Sequence, residues 1–357
     1  MSSIFAPKSP FRIFFISAFI TISALVLVYA YLGPAAAFVA LMLMIIEVTF
    51  SFDNAIINAR VLATMSPFWQ RMFITVGMLI AVFGMRVVFP IVIVMLSAGL
   101  SWNSVIDLAF NDPNKYAEVL HGAHPSIAAF GGMFLLMLTL HFFFDNSRTI
   151  HWLQPVERPL QVIGRKWLHG VVCTFILIIL TFLPFNHHPN EALMAGLAGI
   201  IIYALIHGAS ELFTKQRELS AKRKGLNKMA QAAGMAGFIS FVYLEILDAS
   251  FSFDGVIGAF AVTKDVILIA IGLGVGALWV RSLTLYLVHH KVLDVYRYLE
   301  HGAHYVIGIL AATLLVGLFV EIPEAIAGLI GIVVIGFSIA NSITYNKTKA
   351  DHMSLPK

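Results

Sequence analysis

Cysteine and charge are what this 357-residue sequence has least of: one cysteine, and charged residues at only 12%. A soluble protein carries about a quarter charged residues, so the usual complement is halved. With 59% hydrophobic residues, a water-soluble domain of this size has no means of hiding its apolar surface, because folding leaves much of it wet. These scarcities exclude a water-soluble enzyme, a disordered chain and a nucleic-acid binder. The net charge of +4 is small and scattered, which is no footprint for a polyanion. Cys173 alone permits neither an intrachain disulfide nor a thiolate metal cage. Set in an apolar run, it reads as a small core residue.

What the chain has instead is long apolar runs. A helical bilayer crossing takes ~20 mostly apolar residues. Runs of that kind lie near 12–31, 35–59, 68–98, 125–146, 168–184, 191–213, 229–261, 265–289, 303–320 and 324–344. The first is longer than the apolar region of a signal peptide, so it reads as an uncleaved helix. Basic residues test the count, since cytoplasmic loops are rich in Lys and Arg. With the N-terminus inside, nineteen of the twenty-three fall on the cytoplasmic side. They are Lys8, Arg12, Arg60, Arg71, Arg148, Arg158, Arg165, Lys166, Lys215, Arg217, Lys222, Arg223, Lys224, Lys228, Lys291, Arg297, Lys347, Lys349 and Lys357. Lys115 and Lys264 fall outside, and Arg86 and Arg281 within the membrane. The expectation is an all-α polytopic protein with about ten transmembrane helices and both termini cytoplasmic. Residues 1–166 form a first membrane repeat with its linker, 167–214 the fifth and sixth helices, 215–228 a basic cytoplasmic loop, 229–346 a second repeat and 347–357 a tail.

The halves resemble one another in order. Ser51-Phe52-Asp53-Asn54-Ala55-Ile56 matches Ser252-Phe253-Asp254-Gly255-Val256-Ile257 at an offset of 201. Gly77 with Arg86 matches Gly272 with Arg281, and Tyr116–His124 matches Tyr296–His304, with HGAH identical. The second, third and fourth runs thus correspond to the seventh, eighth and ninth. Five crossings separate each pair, so equivalent helices run in opposite directions. Inverted-topology halves of this kind are the architecture of many secondary transporters, whose substrate site lies near the midplane.

Charges within spans are costly and functional by default. The second run carries Glu47 and Asp53, the seventh Glu245, Asp248 and Asp254, and the third and eighth one arginine each. Five acids against two bases leave three surplus negative charges. A bound divalent cation accounts for two of them and a proton for the third. Carboxylates, the Asn54 amide and the Ser51 and Ser252 hydroxyls are hard oxygen donors, which suit Mn²⁺, Ca²⁺ or Mg²⁺ better than Zn²⁺ or Cu⁺. The alternative is a pair of Asp/Glu–Arg bridges that lock helices together. At ~100° per residue, Glu47, Ser51 and Asn54 share a stripe, as do Glu245, Asp248 and Ser252, whereas Asp53 and Asp254 are offset. That offset predicts a distortion of both helices at the Ser-Phe-Asp step, as in the broken helices of transporters.

These motifs resemble the TerC family of integral membrane proteins. Its first half carries Glu-x-x-x-Ser-x-Asp-Asn, complete here as Glu47, Ser51, Asp53 and Asn54. Its second carries Glu-x-x-Asp-x-x-x-Ser-x-Asp-Ser, here Glu245, Asp248, Ser252 and Asp254, with Gly255 in place of the final Ser. The resemblance covers the repeat cores and is nearest to the larger, ten-span relatives. It implies kinship with the lysine-exporter superfamily, divalent metal transport (notably Mn²⁺ efflux), an association with tellurium-ion resistance, and a bacterial inner-membrane location. Ca²⁺ is the second cation it leaves open, and a homo-oligomer is compatible with it.

His121 and His124, repeated as His301 and His304, lie three apart on one helix face and at opposite membrane surfaces. They suit a gate as well as interfacial helix starts. His141, His207 and Glu211 read as lone polar groups with packing roles, and His187 and His188 as loop residues. There is no His-Glu-x-x-His, no Gly-x-Ser-x-Gly and no phosphate-cradling loop, so an enzyme is not expected. Asp53 with Asp254 as an aspartyl-protease-like dyad, and a non-transporting scaffold of a metal-stress complex docked through 215–228, are the other readings.

Overall fold

The computed structural model describes residues 9–165, 167–223, 233–320 and 322–354. Lys8, Lys166, Lys224, Lys228 and Lys357 lie outside the described residues. The helices, in chain order, are α1 (Pro10–Phe50), α2 (Phe52–Leu62), α3 (Pro67–Leu96), α4 (Trp102–Asn111), α5 (Pro113–Gly122), α6 (His124–Phe143), α7 (Gln154–Ile163), α8 (Leu168–Phe182), α9 (Pro189–Arg223), α10 (Gly234–Val262), α11 (Val266–His289), α12 (Val292–Val295), α13 (Leu299–Val316) and α14 (Glu324–Ser354). No strand occurs among the described residues. Eight of these helices are long and apolar enough to cross a membrane, and α7 with α8, bent by 102°, makes a ninth if read as one broken span. The chain is a multi-pass, all-α membrane protein. Exposed apolar side chains such as Phe19, Ile22, Val333 and Phe337 are what a lipid-facing surface requires.

The tenth crossing is hidden in α1, where the sequence predicts two helices. Gly33 sits at φ 87°, ψ 177°, a region essentially restricted to glycine, and Pro34 removes a backbone donor while disfavouring helix before it. In the first arm, Phe14 packs on Tyr286 (ring centres 5.9 Å apart), Ser17 Oγ lies 2.8 Å from Ser282 Oγ, and Thr21 Oγ1 accepts from Trp279 Nε1 (2.8 Å). In the second, Leu43 packs on Gly272 and Glu47 on Gly276. The first arm therefore descends α11 and the second ascends it. The chain reverses at Gly33, and α1 is a helical hairpin.

The same bookkeeping shows the inverted repeat. Glu47 approaches Gly255, while Asn54 bonds Asp248. Gly77 meets Arg281, while Val82 meets Gly274. On α6, Gly132 meets Leu315, Thr139 meets Gly308, and Phe142 stacks on His304 at 3.6 Å. In each pair the numbers rise on one helix as they fall on the other. All three repeat-related pairs are thus antiparallel neighbours across the centre of the molecule. Inside a membrane, helix association depends on close packing rather than on water exclusion, and the glycines serve that purpose. A Cβ on Gly132 would lie 2.8 Å from Leu315 Cγ and Cδ2. Gly132→Val should therefore cost about 1–3 kcal/mol by overpacking, read as a lower unfolding temperature of the purified protein in detergent.

One local expectation is corrected and one is filled in. The expected loop at 215–228 begins as helix, because α9 continues to Arg223. Its Lys-Gln-Arg-Glu-Leu stretch consists of strong helix formers, so helix persists after the apolar pattern ends; 224–228 lie outside the described residues. The linker before the fifth crossing holds the helix α7, opened by Glu157, whose carboxylate accepts from Trp152 N (2.9 Å) and Leu153 N (3.1 Å).

Candidate functional site

The site begins where α1 stops. Ser51 leaves helical geometry at φ −98°, ψ 17°, and the chain resumes as α2, with Asp53 in its first turn. Ser, Asp and Asn favour helix starts over helix interiors, and here three such residues fall within four positions. A carboxylate in a first turn is also favoured by the helix dipole. The distortion expected at the Ser-Phe-Asp step is present in this half. In the other half it is not: α10 runs unbroken from Gly234 to Val262, with Gly255 where the first half has Asn54. The side chain of Asp254 lies outside the described residues.

Glu245 and Asp248, three apart on α10, share a helix face and meet the arginines. Arg86 Nη2 pairs with Glu47, and its Nη1 lies 3.8 Å from Asp248 Oδ2. Arg281 Nη2 lies 3.4 Å from Glu245 Oε1 and 3.5 Å from Asp248 Oδ2. Asn54 Nδ2 donates to the other Asp248 oxygen at 2.9 Å. Asp248 is therefore the hub, held by both guanidiniums and by an amide from the opposite half. The offset of 201 that relates Asp53 to Asp254 also relates Glu47 to Asp248, so Arg86–Glu47 and Arg281–Asp248 are symmetry-related pairs. Glu245 is the acid without a counterpart.

A feature with no sequence signal positions the arginines. Within α3, Phe73–Gly77 and Ile80–Val88 are wound as π-helix, a distortion common at functional sites. Carbonyls there become acceptors for the guanidiniums: Arg281 donates to Phe73 O (3.3 Å) and Gly77 O (3.2 Å), and Arg86 to Ala81 O (2.6 Å). The Arg281 guanidinium also lies 3.8 Å from the centre of the Phe73 ring. Gly77 and Gly276 make room for the acids. A side chain at either would collide with Glu245 or Glu47.

Beside this cluster several buried polar atoms have no partner among the described residues: Asn54 Oδ1, both amide atoms of Asn58, Ser252 Oγ and Arg86 Nε. Asn58 is only 1% exposed and lies one turn beyond Asn54 on the same face of α2. Each unsatisfied buried group costs about 1–3 kcal/mol. Asp53 is equally buried, and no lysine or arginine among the described residues pairs with it. Ser51 Oγ donates to Glu47 Oε1 (3.3 Å). Among the described residues no three His, Cys, Asp or Glu side chains are arranged to enclose a metal; the carboxylates of Glu47, Glu245 and Asp248 are turned to arginines. Of the sequence-predicted residues, Glu47, Ser51, Asn54, Glu245, Asp248, Arg86 and Arg281 are joined by direct contacts, with Asp53 and Ser252 on the same two helices.

The histidine pairs lie at opposite ends of the molecule. His124 is near Gly317 at the end of α13, while His301 and His304 lie against Phe142 at the end of α6. His121 is exposed. His301 Nδ1 lies 3.2 Å from Glu157 Oε2, and His304 Nδ1 donates to Glu300 O (2.8 Å). At that face Glu300 also pairs with Arg60 (3.4 Å) and Arg148 (3.6 Å), which puts these two basic residues on one side. Asp145, at the same face, is held below the usual carboxylate range. Burial opposes its charge, but two hydrogen bonds from Ser147 and the charge of Arg148 outweigh it. One reading is corrected outright: His141 and His207 are not lone. They pack on one another and, through His141, on His169, a residue the spacing did not single out.

Residues 52–349 match the family described as "Protein of unknown function (DUF475)", and the chain belongs to that family. No curated protein and no solved structure matches it.

Proposed function

We propose that this DUF475 member is a secondary transporter that carries a divalent cation, Mn²⁺ foremost and Ca²⁺ second, outward through the carboxylate cluster between its inverted halves. The observation that carries the reading is the convergence of Glu47, Glu245 and Asp248 on two buried arginines, with Asn54 Oδ1, the Asn58 amide and Ser252 Oγ unpartnered alongside among the described residues. A static lock has no use for those orphaned oxygens, whereas a cation with its water shell satisfies them. The arginines neutralise two acids while the site is empty. With Asp53 and Asp254 included, three negative charges remain, which a +2 ion and one proton balance; ion release coupled to proton uptake follows from that count. The resemblance to TerC supports the choice of Mn²⁺ and an inner-membrane location with both termini cytoplasmic. Gly255 faces Glu47, with its Cβ position 3.3 Å from Glu47 Oε2, so the serine that the TerC motif carries at this position would have added a hydroxyl to the site itself.

The competing reading is the helix lock, favoured by the arginine pairing already in place. Mn²⁺ uptake into proteoliposomes separates the two. The wild type should move the ion, and Asp53→Asn and Asp254→Asn should reduce flux to the protein-free background while inserting normally. Wild-type flux at background, or variants that transport as well as wild type, would overturn the transport mechanism.

A further inference from the structure

The histidines that read as isolated in sequence meet in the fold. His141 near the end of α6, His169 at the start of α8 and His207 on α9 come from three helices. The ring centres of His141 and His207 are 4.0 Å apart and tilted by 58°, and those of His141 and His169 are 4.9 Å apart at 89°. Tyr203, one turn before His207, contacts all three rings. Packing alone does not call for this. The surrounding stretches of α6 and α8 are leucine, isoleucine and phenylalanine, which would fill the space without polar nitrogens. His141 Nδ1 is buried and makes no hydrogen bond among the described residues, a costly state for an imidazole in an apolar setting. Glu211, one turn beyond His207, is exposed, and its charge reaches His169.

We propose that His141, His169 and His207, with Glu211 as a fourth ligand, form a metal site separate from the carboxylate cluster and selective for a borderline divalent ion such as Zn²⁺ or Co²⁺. Imidazole nitrogens suit these metals, whereas the all-oxygen cluster suits harder ions. Three histidines and a carboxylate make a four-coordinate set of familiar type. Two nitrogens bound to one tetrahedral ion are about 3.4 Å apart at a metal–nitrogen distance of about 2.1 Å, a separation that rings 4–5 Å apart reach by rotation. The His141 and His169 rings meet edge to face, those of His141 and His207 are tilted, and among the described residues the donors do not converge on one point. Bringing them onto one ion takes rotation about χ1 as well as the soft terminal torsion, because turning a ring about the latter alone leaves its centre nearly in place. All three rings are half-buried, so an ion can enter from the surface. The site does not depend on the transport reading.

Tag-free protein in detergent is titrated with Co²⁺, followed by the visible band of tetrahedral nitrogen-ligated cobalt, and with Zn²⁺ by equilibrium dialysis. The wild type should take up one Co²⁺ with an intense band that Zn²⁺ removes and Mn²⁺ does not. His141→Leu and His207→Gln should weaken binding at least tenfold. His169→Asn, at a helix start and half-buried, gives the same answer should the interior variants fail to fold. Asp53→Asn should bind as wild type does. Absence of the band, its persistence in His169→Asn, or its loss in Asp53→Asn would each overturn the proposal.

Discussion

Replacing Arg281 with leucine is expected to lower the stability of the ion-free protein by about 3–5 kcal/mol, the range for stripping a buried charge of its partner. Arg86→Leu should do the same. Arg281 is 2% exposed and Arg86 5%, so solvent offers no replacement. Arg281 is the only guanidinium on Glu245 among the described residues, shares Asp248 with Arg86, and also serves two carbonyls of the π-helical stretch of α3. Its loss therefore disturbs an interface between the halves as well as a charge. The diagnostic part is the response to Mn²⁺. If the cluster is an ion site, a +2 charge substitutes for the missing guanidinium, and the deficit shrinks as Mn²⁺ is added. Thermal unfolding of wild type and both variants, with and without Mn²⁺, reads this directly. A deficit equal in both conditions identifies the arginines as a permanent lock and counts against cation binding there.

The polar elements of this arrangement were legible in the sequence because they violate the rule for membrane segments. Five acids and two arginines inside apolar runs are conspicuous, and the ordered matches between halves dictate which helices face one another. The antiparallel pairing of Glu47 with Gly255 and of Asn54 with Asp248 follows from that symmetry. The contacts themselves did not follow. Helical-wheel spacing grouped Ser252 with Glu245 and Asp248, but it cannot say that Asp248 receives both arginines, because that depends on how α3 and α11 close over α10. The π-helical turns left no trace, since the carbonyls they offer serve Arg281 and Arg86, tertiary contacts that local propensity does not encode. The distortion is present at Ser51 and absent from α10, although both stretches carry Ser-Phe-Asp; the repeat alignment treats the two as a match, and local propensity does not separate them. The two arms of α1 were legible as separate apolar runs, 12–31 and 35–59, but their reversal at Gly33 was not singled out. His141, His169 and His207 were not, for they are far apart in sequence and meet only through packing of three helices.

The same geometry sorts the acids, and neutralising them one at a time should split them into two classes. Asp248 is bound by two guanidiniums and an amide, so Asp248→Asn leaves both arginines short of a counter-charge. It should cost about 3–5 kcal/mol, as for breaking any buried pair. Asp53 is equally buried, at 5% exposure for each, but has no cationic partner among the described residues. Asp53→Asn removes a charge that burial penalises and breaks no ion pair, so stability should hold or rise. If transport needs Asp53, this stable variant is the one that loses flux, and the loss cannot be blamed on unfolding. Unfolding midpoints measured beside Mn²⁺ flux give the comparison, with Glu245→Gln expected between the two because its arginine retains Asp248. An Asp53→Asn protein as unstable as Asp248→Asn would mean that Asp53 also serves the scaffold, and the division of the cluster into arginine-held acids and a free one would have to be abandoned.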